Sequence, residues 1–227
     1  SQPFYEVAAD CEMFIATWFN KNGTRIEDKE KAEQIAERCR NKEATVIKLK
    51  TKRATVERPL LYDLTELQRD GNRRYGYSAE QTLNAAQNLY EKYKLATYPR
   101  TDSRYLTKDM KSKIPGLLQN IRDGYKDSEG TRYCVDKVVK QKINADKRVI
   151  DDSKVTDHHA IIVTPTIRNA AGIKLPEIEQ NILKLIVARF ICVFDRKQEY
   201  DQTDLEIQIE NDKFKAKGKK VVIPGWK

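Results

Sequence analysis

The feature that most constrains the fold of this chain is that the sequence spacing of its apolar residues changes twice. Near both ends apolar and polar residues alternate, as at Leu205, Ile207 and Ile209 with polar residues between them, which is typical of half-buried strands. Residues 62–194 instead show mostly the spacing of amphipathic helices. The order β, α, β predicts an α+β fold in which a mostly helical domain is inserted into a β-rich domain formed by both chain ends.

The N-terminal part is predicted to contain a β-hairpin, a helix and a strand. Residues 4–9 and 13–20 have strand character, and Asn22-Gly23 supplies the residues of a tight turn. The spacing of apolar residues after Asp28 predicts a short helix, and residues 44–56 return to β-type alternation.

The central part is predicted to be helical with one long irregular segment. Ser78 and Gln81 form a capping box, in which each side chain satisfies a backbone N–H at the start of a helix. The polar, lysine-rich stretch 123–157 is interpreted as a long loop with weak helix. The predicted helices cover residues 64–75, 78–93 and a segment from 175 onward, and two strands follow at 205–210 and 214–223.

The net charge of the chain points to a polyanionic partner. Its 227 residues carry 43 lysines and arginines against 34 acidic residues, which leaves a net charge of +9. A charge of this size attracts polyanions, of which nucleic acid is the commonest. The alternative is a lysine-rich surface that only keeps the protein in solution.

Four separated cysteines, Cys11, Cys39, Cys134 and Cys192, form no CxxC pair, so neither a zinc site nor a disulfide framework is predicted. No apolar run approaches the roughly 20 residues that cross a membrane, and the N-terminus has no signal-peptide pattern. These features predict a protein of the cytosol with reduced thiols and no membrane partner.

Residues 97–106 contain the first candidate for chemistry. Pro99 excludes helical geometry at Tyr98 and so holds this phenol on a defined loop. A tyrosine phenol, with an ordinary pKa of about 10, is a weak nucleophile that needs a nearby positive charge. Arg100 can supply that charge, and its guanidinium group can donate two hydrogen bonds to one phosphate. The alternative is that residues 97–106 form an ordinary turn, because Asp and Ser after a proline are common there.

The chain's two histidines, His158 and His159, are adjacent. A metal site is not favoured, because neighbouring side chains diverge and no third ligand is near in sequence. A histidine can instead donate a hydrogen bond or a charge to a phosphate. The alternative is a pair of exposed loop residues.

The helix predicted at residues 64–75 carries a basic stripe. Arg69 and Arg73 lie four residues apart and therefore on one face. Basic side chains beside aromatic residues suit a nucleic-acid backbone with stacked bases. The alternative, which is compatible with it, is ion pairing with Glu66 and Asp70.

Three blocks in this order resemble a type IA DNA topoisomerase, of the topoisomerase III branch: LLYDLTELQRDGNRRYGYSAEQTL, then LYEKYKLATYPRTDSRYL, then TDHHAII. This resemblance implies that Tyr98 attacks a single-strand DNA phosphodiester, forms a 5′-phosphotyrosine and releases a 3′ hydroxyl. A second strand then passes through the gap and the break is resealed without ATP. The resemblance makes Arg100 the transition-state arginine and His158 the phosphate-contacting histidine. It places four further residues near the bound strand: Gln87, Asp102, Ser103 and His159.

The family also has a TOPRIM domain, whose acidic residues hold Mg²⁺. No Asp-x-Asp motif with a partner glutamate is present in this sequence, so the resemblance implies that the metal is bound by a TOPRIM domain missing from this chain. It assigns residues 1–57 and 197–227 to an arch domain and residues 58–196 to the tyrosine domain. We therefore expect an excised fragment that binds single-stranded DNA without cleaving it unaided, from an enzyme of the bacterial cytosol associated with the nucleoid.

The sequence departs from the family pattern at two places, and two other functions are alternatives to the one that the resemblance implies. Family members commonly have alanine where Gly71 stands, and the sequence after Ile162 differs from the usual Pro-Thr. The first other function is a non-catalytic nucleic-acid-binding module. The second is a tyrosine recombinase, which is disfavoured because its tyrosine normally lies near the end of its domain, whereas Tyr98 precedes both histidines.

Overall fold

The computed structural model describes residues 2–125 and 129–227. The chain divides into two compact units, a sheet unit of residues 1–56 with 198–224 and a helical unit of residues 57–197 with 225–227. The predicted α+β fold is confirmed, since strands are concentrated in one unit and helices in the other. Within the described ranges, no helix has both the length and the apolar character needed to cross a membrane.

The sheet unit is built on five antiparallel strands in the order β1-β2-β5-β4-β3. Strands β4 and β5, which lie between β2 and β3 in the sheet, follow the helical unit in the sequence. The complete sheet therefore needs residues from both sides of the helical unit. The elements are β1 (Ala8–Asp10), β2 (Ile15–Trp18), α1 (Lys29–Cys39), β3 (Ala44–Val56), β4 (Gln198–Ile209) and β5 (Asp212–Ile223).

Helix α1 closes the core of the sheet unit. Asp28 caps its first turn by accepting hydrogen bonds from two backbone N–H groups. The apolar side of α1 includes the buried Ile35, which belongs to the same core as Ile207 and Phe214 of the sheet. The helix predicted after Asp28 is therefore confirmed, and its burial leaves the other face of β4 and β5 uncovered by α1.

The N-terminal hairpin is shorter than predicted. Strands β1 and β2 pair through a turn in which Cys11 donates to the carbonyl of Phe14 at 3.0 Å. The predicted turn at Asn22-Gly23 exists, with Gly23 at φ +114°, but it closes only an isolated bridge to Asn20. The strands stop early because Tyr5 pairs with Ile26 instead of with β2.

A buried carboxylate ties β5 to the rest of the sheet unit. Asp212 is 7% exposed and accepts hydrogen bonds from Trp18 Nε1 at 2.9 Å and from Arg38 Nε at 2.6 Å. Burial alone would raise the pKa of this carboxyl, but the hydrogen bonds from Arg38 and Trp18 outweigh it and hold the pKa below its usual value. Asp212 therefore remains charged in the folded protein at neutral pH.

The helical unit contains five α-helices in its described part, and its core is one apolar cluster centred on the last of them. The predicted helix at residues 64–75 is confirmed, as is the capping box of Ser78 and Gln81. The helices are α2 (Leu64–Tyr75), α3 (Ala79–Glu91), α4 (Ile114–Gly124), α5 (Glu129–Gln141) and α6 (Glu177–Phe194), with 3₁₀ turns at Lys108–Lys113, Asp152–Lys154 and Pro165–Gly172.

The stretch predicted as a long loop, 123–157, contains helix α5; residues 126–128 of that stretch lie outside the described residues. Its apolar stripe is narrow, since Val135 and Val138 are its buried residues, and so the sequence pattern was weak. The helix is held by tertiary contacts, including an ion pair between Arg122 Nε and Asp136 at 2.5 Å. Packing against α4 supplies the stability that the sequence periodicity did not indicate.

Helix α2 is joined to α6 through a second buried carboxylate, Asp70. It accepts hydrogen bonds from Tyr62 Oη at 2.5 Å, from Arg73 at 2.5 Å and from Arg189 at 2.7 Å. The Arg189 guanidinium also lies 3.9 Å over the Tyr62 ring. Burial raises the pKa of the Tyr62 phenol well above its ordinary value, so this phenol stays protonated and acts as a donor.

We predict that Asp212→Asn destabilises the sheet unit and makes its free energy of unfolding less dependent on pH. Because the folded pKa lies below the unfolded value, the stabilisation is complete above about pH 5 and is lost as the pH falls through the folded pKa. At pH 7 the variant should lose about 2 kcal/mol, the typical contribution of hydrogen bonds to a charged group. Urea unfolding of both proteins from pH 7 to pH 3 measures this.

The matched control for that experiment is Asp201→Asn. Asp201 pairs with Arg53 at the surface, where water screens the interaction, so its loss should matter much less at pH 7. Equal free energies of unfolding for Asp212→Asn and the parent across the pH range would contradict the prediction.

We also predict that the effect of Gly71→Ala on stability changes sign with the residue at position 82. A Cβ at Gly71 would lie 2.7 Å from Thr82 Oγ1, a buried oxygen without a hydrogen-bond partner among the described residues. Gly71→Ala alone should therefore destabilise, although alanine favours a helix by about 1 kcal/mol. In a Thr82→Ala background it should stabilise by about that amount. Thermal unfolding of the four proteins measures the coupling.

Gly116→Ala in α4 is the control, since nothing lies within 4 Å of its added Cβ. It should stabilise by about 0.5 to 1 kcal/mol by itself. If the stability changes of Gly71→Ala and Thr82→Ala simply add in the double variant, the close approach to Thr82 does not determine the effect of an alanine at position 71.

Candidate active site

The Tyr98 loop leaves α3 through a tight C-terminal turn and then runs extended. Lys94 has a positive φ of 56°, and the N–H of Leu95 returns to the carbonyl of Leu89 at 2.8 Å, which ends the helix. Pro99 is buried and so fixes the chain on both sides of the phenol. Tyr98 itself is half-buried, which leaves part of its side chain open to solvent.

Hydrogen bonds join this loop to the segment that carries both histidines. Thr97 donates its N–H to the carbonyl of Ile162 at 2.9 Å and accepts from the Ile162 N–H through Oγ1 at 3.0 Å. Thr101 Oγ1 donates to the carbonyl of His158 at 3.0 Å. These three bonds, which we call the loop clamp, hold two segments that lie about 60 residues apart in sequence.

The clamp brings Tyr98 and His158 together. Their ring centroids lie 4.4 Å apart with an interplanar angle of 43°. The Tyr98 ring also meets Tyr90 edge to face, with centroids 5.4 Å apart and an angle of 79°. A ring held by two aromatic neighbours has few rotamers left, so the phenol is presented in one orientation.

Arg100 and His158 present their polar ends to solvent. Arg100 is exposed and has no hydrogen-bond or ion-pair partner in the described part of the chain. The imidazole of His158 is also exposed, while its backbone is held by Thr101. Both side chains are therefore available to a phosphate beside Tyr98, the first as a fixed positive charge and the second as a hydrogen-bond donor.

The structure places the other predicted loop residues in different environments. Ser103 is 4% exposed, and its hydroxyl donates to the carbonyl of Lys154 at 2.8 Å, so it supports the loop internally. Asp102 is exposed and lies 3.5 Å from Thr156 Oγ1. His159 is half-buried with Nδ1 2.8 Å from the carbonyl oxygen of the next residue. Of these, Asp102 is the side chain most open to a ligand.

Gln87 lies on α3 one turn before Tyr90 and thus on nearly the same side of that helix. Its amide nitrogen donates to Glu91 at 2.6 Å. Its amide oxygen is buried and has no hydrogen-bond partner among the described residues. An unsatisfied buried acceptor carries a free-energy cost that a donor from a bound ligand would relieve.

Arg69 and Arg73 are occupied by acidic side chains of their own helix. Arg69 pairs with Glu66 and Arg73 with Asp70, each at 2.5 Å. The predicted ion pairing is confirmed. Both guanidinium groups are 72% exposed, so they remain accessible, but the two arginines are not part of the clamp that surrounds Tyr98.

Two residues that support the site were given no role from the sequence. Tyr90 packs on Tyr98, and Thr97 supplies two of the three clamp bonds. The position of Tyr90 near the end of a helix that leads directly into the loop was the available signal. For Thr97 there was no signal, because its partner Ile162 is distant in sequence.

The described residues contain no group of three or more His, Cys, Asp or Glu side chains arranged to hold a metal ion. The side chains around Tyr98 are a poor match for Mg²⁺, which prefers carboxylate oxygens and water.

Comparison with known proteins gives the same family over the whole chain. Residues 1–227 match the family model described as DNA topoisomerase. The chain is 40% identical over 229 residues to DNA topoisomerase 3 of Bacillus cereus strain ATCC 14579, covering all of this chain and 30% of that protein. It is 37% identical over 227 residues to DNA topoisomerase 3 of Bacillus subtilis strain 168, again covering 30% of the relative.

A solved structure has the same fold. Full-length topoisomerase I from Thermotoga maritima superposes with a TM-score of 0.72 and 19% identity, over 99% of this chain and 35% of that one. The chain thus spans about a third of the length of the proteins that it matches.

We predict that Thr101→Val separates Tyr98 from His158. Valine has nearly the same shape but removes the donor to His158 and an acceptor for the Ser103 N–H. Buried groups left without partners should lower stability by about 1 to 3 kcal/mol. The imidazole proton chemical shifts of His158 should move toward those of a histidine with no neighbouring aromatic ring, because the Tyr98 ring current is lost. NMR of the chain's two histidines measures this.

Thr156→Val is the control, because Thr156 is exposed and its hydroxyl lies at the limit of a hydrogen bond. It should leave both the stability and the His158 resonances in place. Unchanged His158 shifts in Thr101→Val would show that the clamp does not position the histidine.

Proposed function

This chain belongs to the type IA DNA topoisomerase family, in its topoisomerase III-like branch, and on that premise we propose that Tyr98 is the nucleophile that cleaves and reseals single-stranded DNA. One observation carries the proposal: the Tyr98 ring is held 4.4 Å from the His158 ring, with the unpaired Arg100 two residues away. A phenol can be the nucleophile in an attack on a phosphodiester, and an arginine and a histidine can stabilise the charge that develops on the phosphate.

The proposed step exchanges one phosphate ester for another. The phenol oxygen of Tyr98 attacks phosphorus and forms a P–O bond, while the bond from phosphorus to the 3′ oxygen breaks. The phenol proton is lost to solvent or a nearby base, and the released 3′ oxygen takes up a proton. The products are a 5′-phosphotyrosine and a 3′ hydroxyl. Resealing is the reverse reaction and consumes no ATP, because the ester energy is retained in the phosphotyrosine bond.

Arg100 and His158 have separate roles in this step. Arg100 neutralises the charge that accumulates on the non-bridging phosphate oxygens and can contact two of them with its planar guanidinium. His158 donates a hydrogen bond to the same phosphate. Gln87, Asp102 and His159 are proposed to contact the bound strand. Ser103 is proposed to shape the loop from beneath, because its hydroxyl is already used.

Several further parts of the proposal concern the longer protein. We propose that Mg²⁺ is held by a TOPRIM domain in the part of the relatives that this chain does not cover, since the relatives are about three times as long. We propose that the sheet unit is the family's arch domain and that the helical unit is its tyrosine domain. The chain alone is then expected to bind single-stranded DNA without cleaving it, and the intact enzyme to work on DNA at the nucleoid of a bacterial cytoplasm.

We predict that Tyr98→Phe abolishes covalent capture of DNA by the intact protein. The variant lacks the attacking oxygen, so incubation with Mg²⁺ and end-labelled single-stranded DNA should give no adduct after denaturation, a loss of more than about 10³-fold. Tyr90→Phe is the matched control, because it keeps the ring that supports Tyr98 and removes only a hydroxyl.

A Tyr98→Phe enzyme that still relaxes supercoiled DNA would overturn the proposal and leave a nucleic-acid-binding module as the function. A loss of adduct in Tyr90→Phe equal to that in Tyr98→Phe would show that the assay reports disturbed packing.

A further inference from the structure

The sheet unit carries a strongly basic face that is separate from the Tyr98 loop. Strand pairing places Lys50 beside Asp204, and Asp204 beside Lys217, so these side chains point to the same side of the sheet. This side, which we call the lysine face, is opposite to the side on which Ile207 and Phe214 pack with α1. Its charged residues are Lys48, Lys50 and Lys52 on β3, Asp204 and Glu206 on β4, and Lys213, Lys215, Lys217 and Lys219 on β5, with Gln202 and Gln208 of β4 on the same side.

The two faces of these three strands differ sharply in charge. The lysine face has seven lysines and two carboxylates, a net charge of +5, in a chain whose total is +9. The opposite face of the same strands has two basic residues and three acidic ones, a net charge of −1. Those five residues are Arg53, Glu199, Asp201, Asp212 and Lys220. A surface kept in solution by lysine would not need this segregation.

Four of these seven lysines have no side-chain partner in the described part of the chain. Lys48 pairs with Glu206 at 3.1 Å, and the Lys215 and Lys219 ammonium groups lie over aromatic rings at 5.3 Å and 4.0 Å. The remaining four are exposed, and their ammonium groups have no hydrogen-bond, ion-pair or ring partner among the described residues: Lys50, Lys52, Lys213 and Lys217. Ion pairing along the sheet therefore accounts for little of the charge.

The lysines form two parallel rows with an acidic and polar row between them. Neighbouring strands are about 4.8 Å apart, so the rows on β3 and β5 are separated by roughly 10 Å, and lysines within a row repeat every 7 Å or so, in both cases by standard strand geometry. A single phosphate backbone lying midway would meet Asp204 and Glu206. Two backbones can lie over the two lysine rows, with a groove of the duplex, about 6 or 12 Å wide, above the carboxylates.

We propose that the lysine face binds duplex DNA through its two phosphate backbones, without reading its sequence. Lysines supply point charges without fixed geometry, which suits contact with phosphates more than recognition of base edges. This surface is carried by the sheet unit alone and does not depend on the single-strand chemistry proposed for Tyr98. A protein with both surfaces holds a cleaved strand at one and a duplex at the other.

The test uses the full chain and two triple variants of equal charge. Lys50→Gln/Lys52→Gln/Lys217→Gln removes unpartnered lysines from the lysine face. Lys21→Gln/Lys31→Gln/Lys220→Gln removes exposed lysines of the same unit that lie elsewhere. Binding of a labelled 20-base-pair duplex and of a single strand of the same length is measured between 50 and 200 mM salt, after unfolding curves show equal stability.

The first variant should bind the duplex about tenfold more weakly, and its slope of log affinity against log salt should fall by about 2 to 3, since each lost phosphate contact contributes about 0.9. The control variant should change duplex affinity by less than about twofold. Equal weakening in both variants would overturn the proposal in favour of bulk charge, and weakening confined to the single strand would overturn the assignment to duplex DNA.

A footprint on the unmodified chain tests the same surface without mutation. With bound duplex, acetylation of Lys50, Lys52, Lys213 and Lys217 should slow at least about threefold, while Lys21 and Lys31 react as before. Uniform protection, or none, would overturn the proposal. Tyr98→Phe should retain duplex binding, which separates failure here from failure of the proposed cleavage.

Discussion

The loop clamp is the interaction on which the candidate active site depends. Thr97 and Thr101 attach a proline-containing loop to a segment about 60 residues further along the chain, and they do so mainly through backbone groups. Together with the hydrogen bonds from the Ala160 N–H to the Tyr105 carbonyl and from the Thr164 N–H to the Leu95 carbonyl, the clamp joins the two segments and holds the Tyr98 and His158 rings 4.4 Å apart. The position of Tyr98 beside His158 thus depends in part on Thr97 and Thr101, which have no role in the proposed chemistry.

Each unit also depends on one buried carboxylate whose charge is satisfied from several sides. In the sheet unit Asp212 joins Trp18 of β2 to Arg38 of α1, and in the helical unit Asp70 joins Tyr62 to Arg189 of α6. A buried charge is tolerated only when such donors surround it, and removal of one partner leaves the others unpaired. Both carboxylates connect elements that are remote in sequence, so they specify which elements pack together as well as stabilising the result.

Whether a basic side chain of this protein is available to a phosphate depends on its ion pairs more than on the number of basic residues near it. Arg69 and Arg73 form a basic stripe in the sequence, yet each is paired with an acid one turn away. In the described part of the chain, the cations without a side-chain partner include Arg100 beside the tyrosine and four lysines of the sheet, Lys50, Lys52, Lys213 and Lys217, whose grouping appears only when β3, β4 and β5 are aligned.

The sequence by itself determined the α+β class and the helices with strong caps and stripes, and it singled out Tyr98 and Arg100 as the pair proposed to react. These depend on local spacing: a capping box at Ser78, a proline after the tyrosine, a two-residue alternation in β4. It did not determine helix α5, whose apolar stripe is narrow, or the internal use of Ser103, or the pairing of Tyr98 with His158. Tertiary structure decided these, because each depends on backbone hydrogen bonds or packing between segments far apart in the chain, and no local pattern of side chains records which distant segment will be the partner.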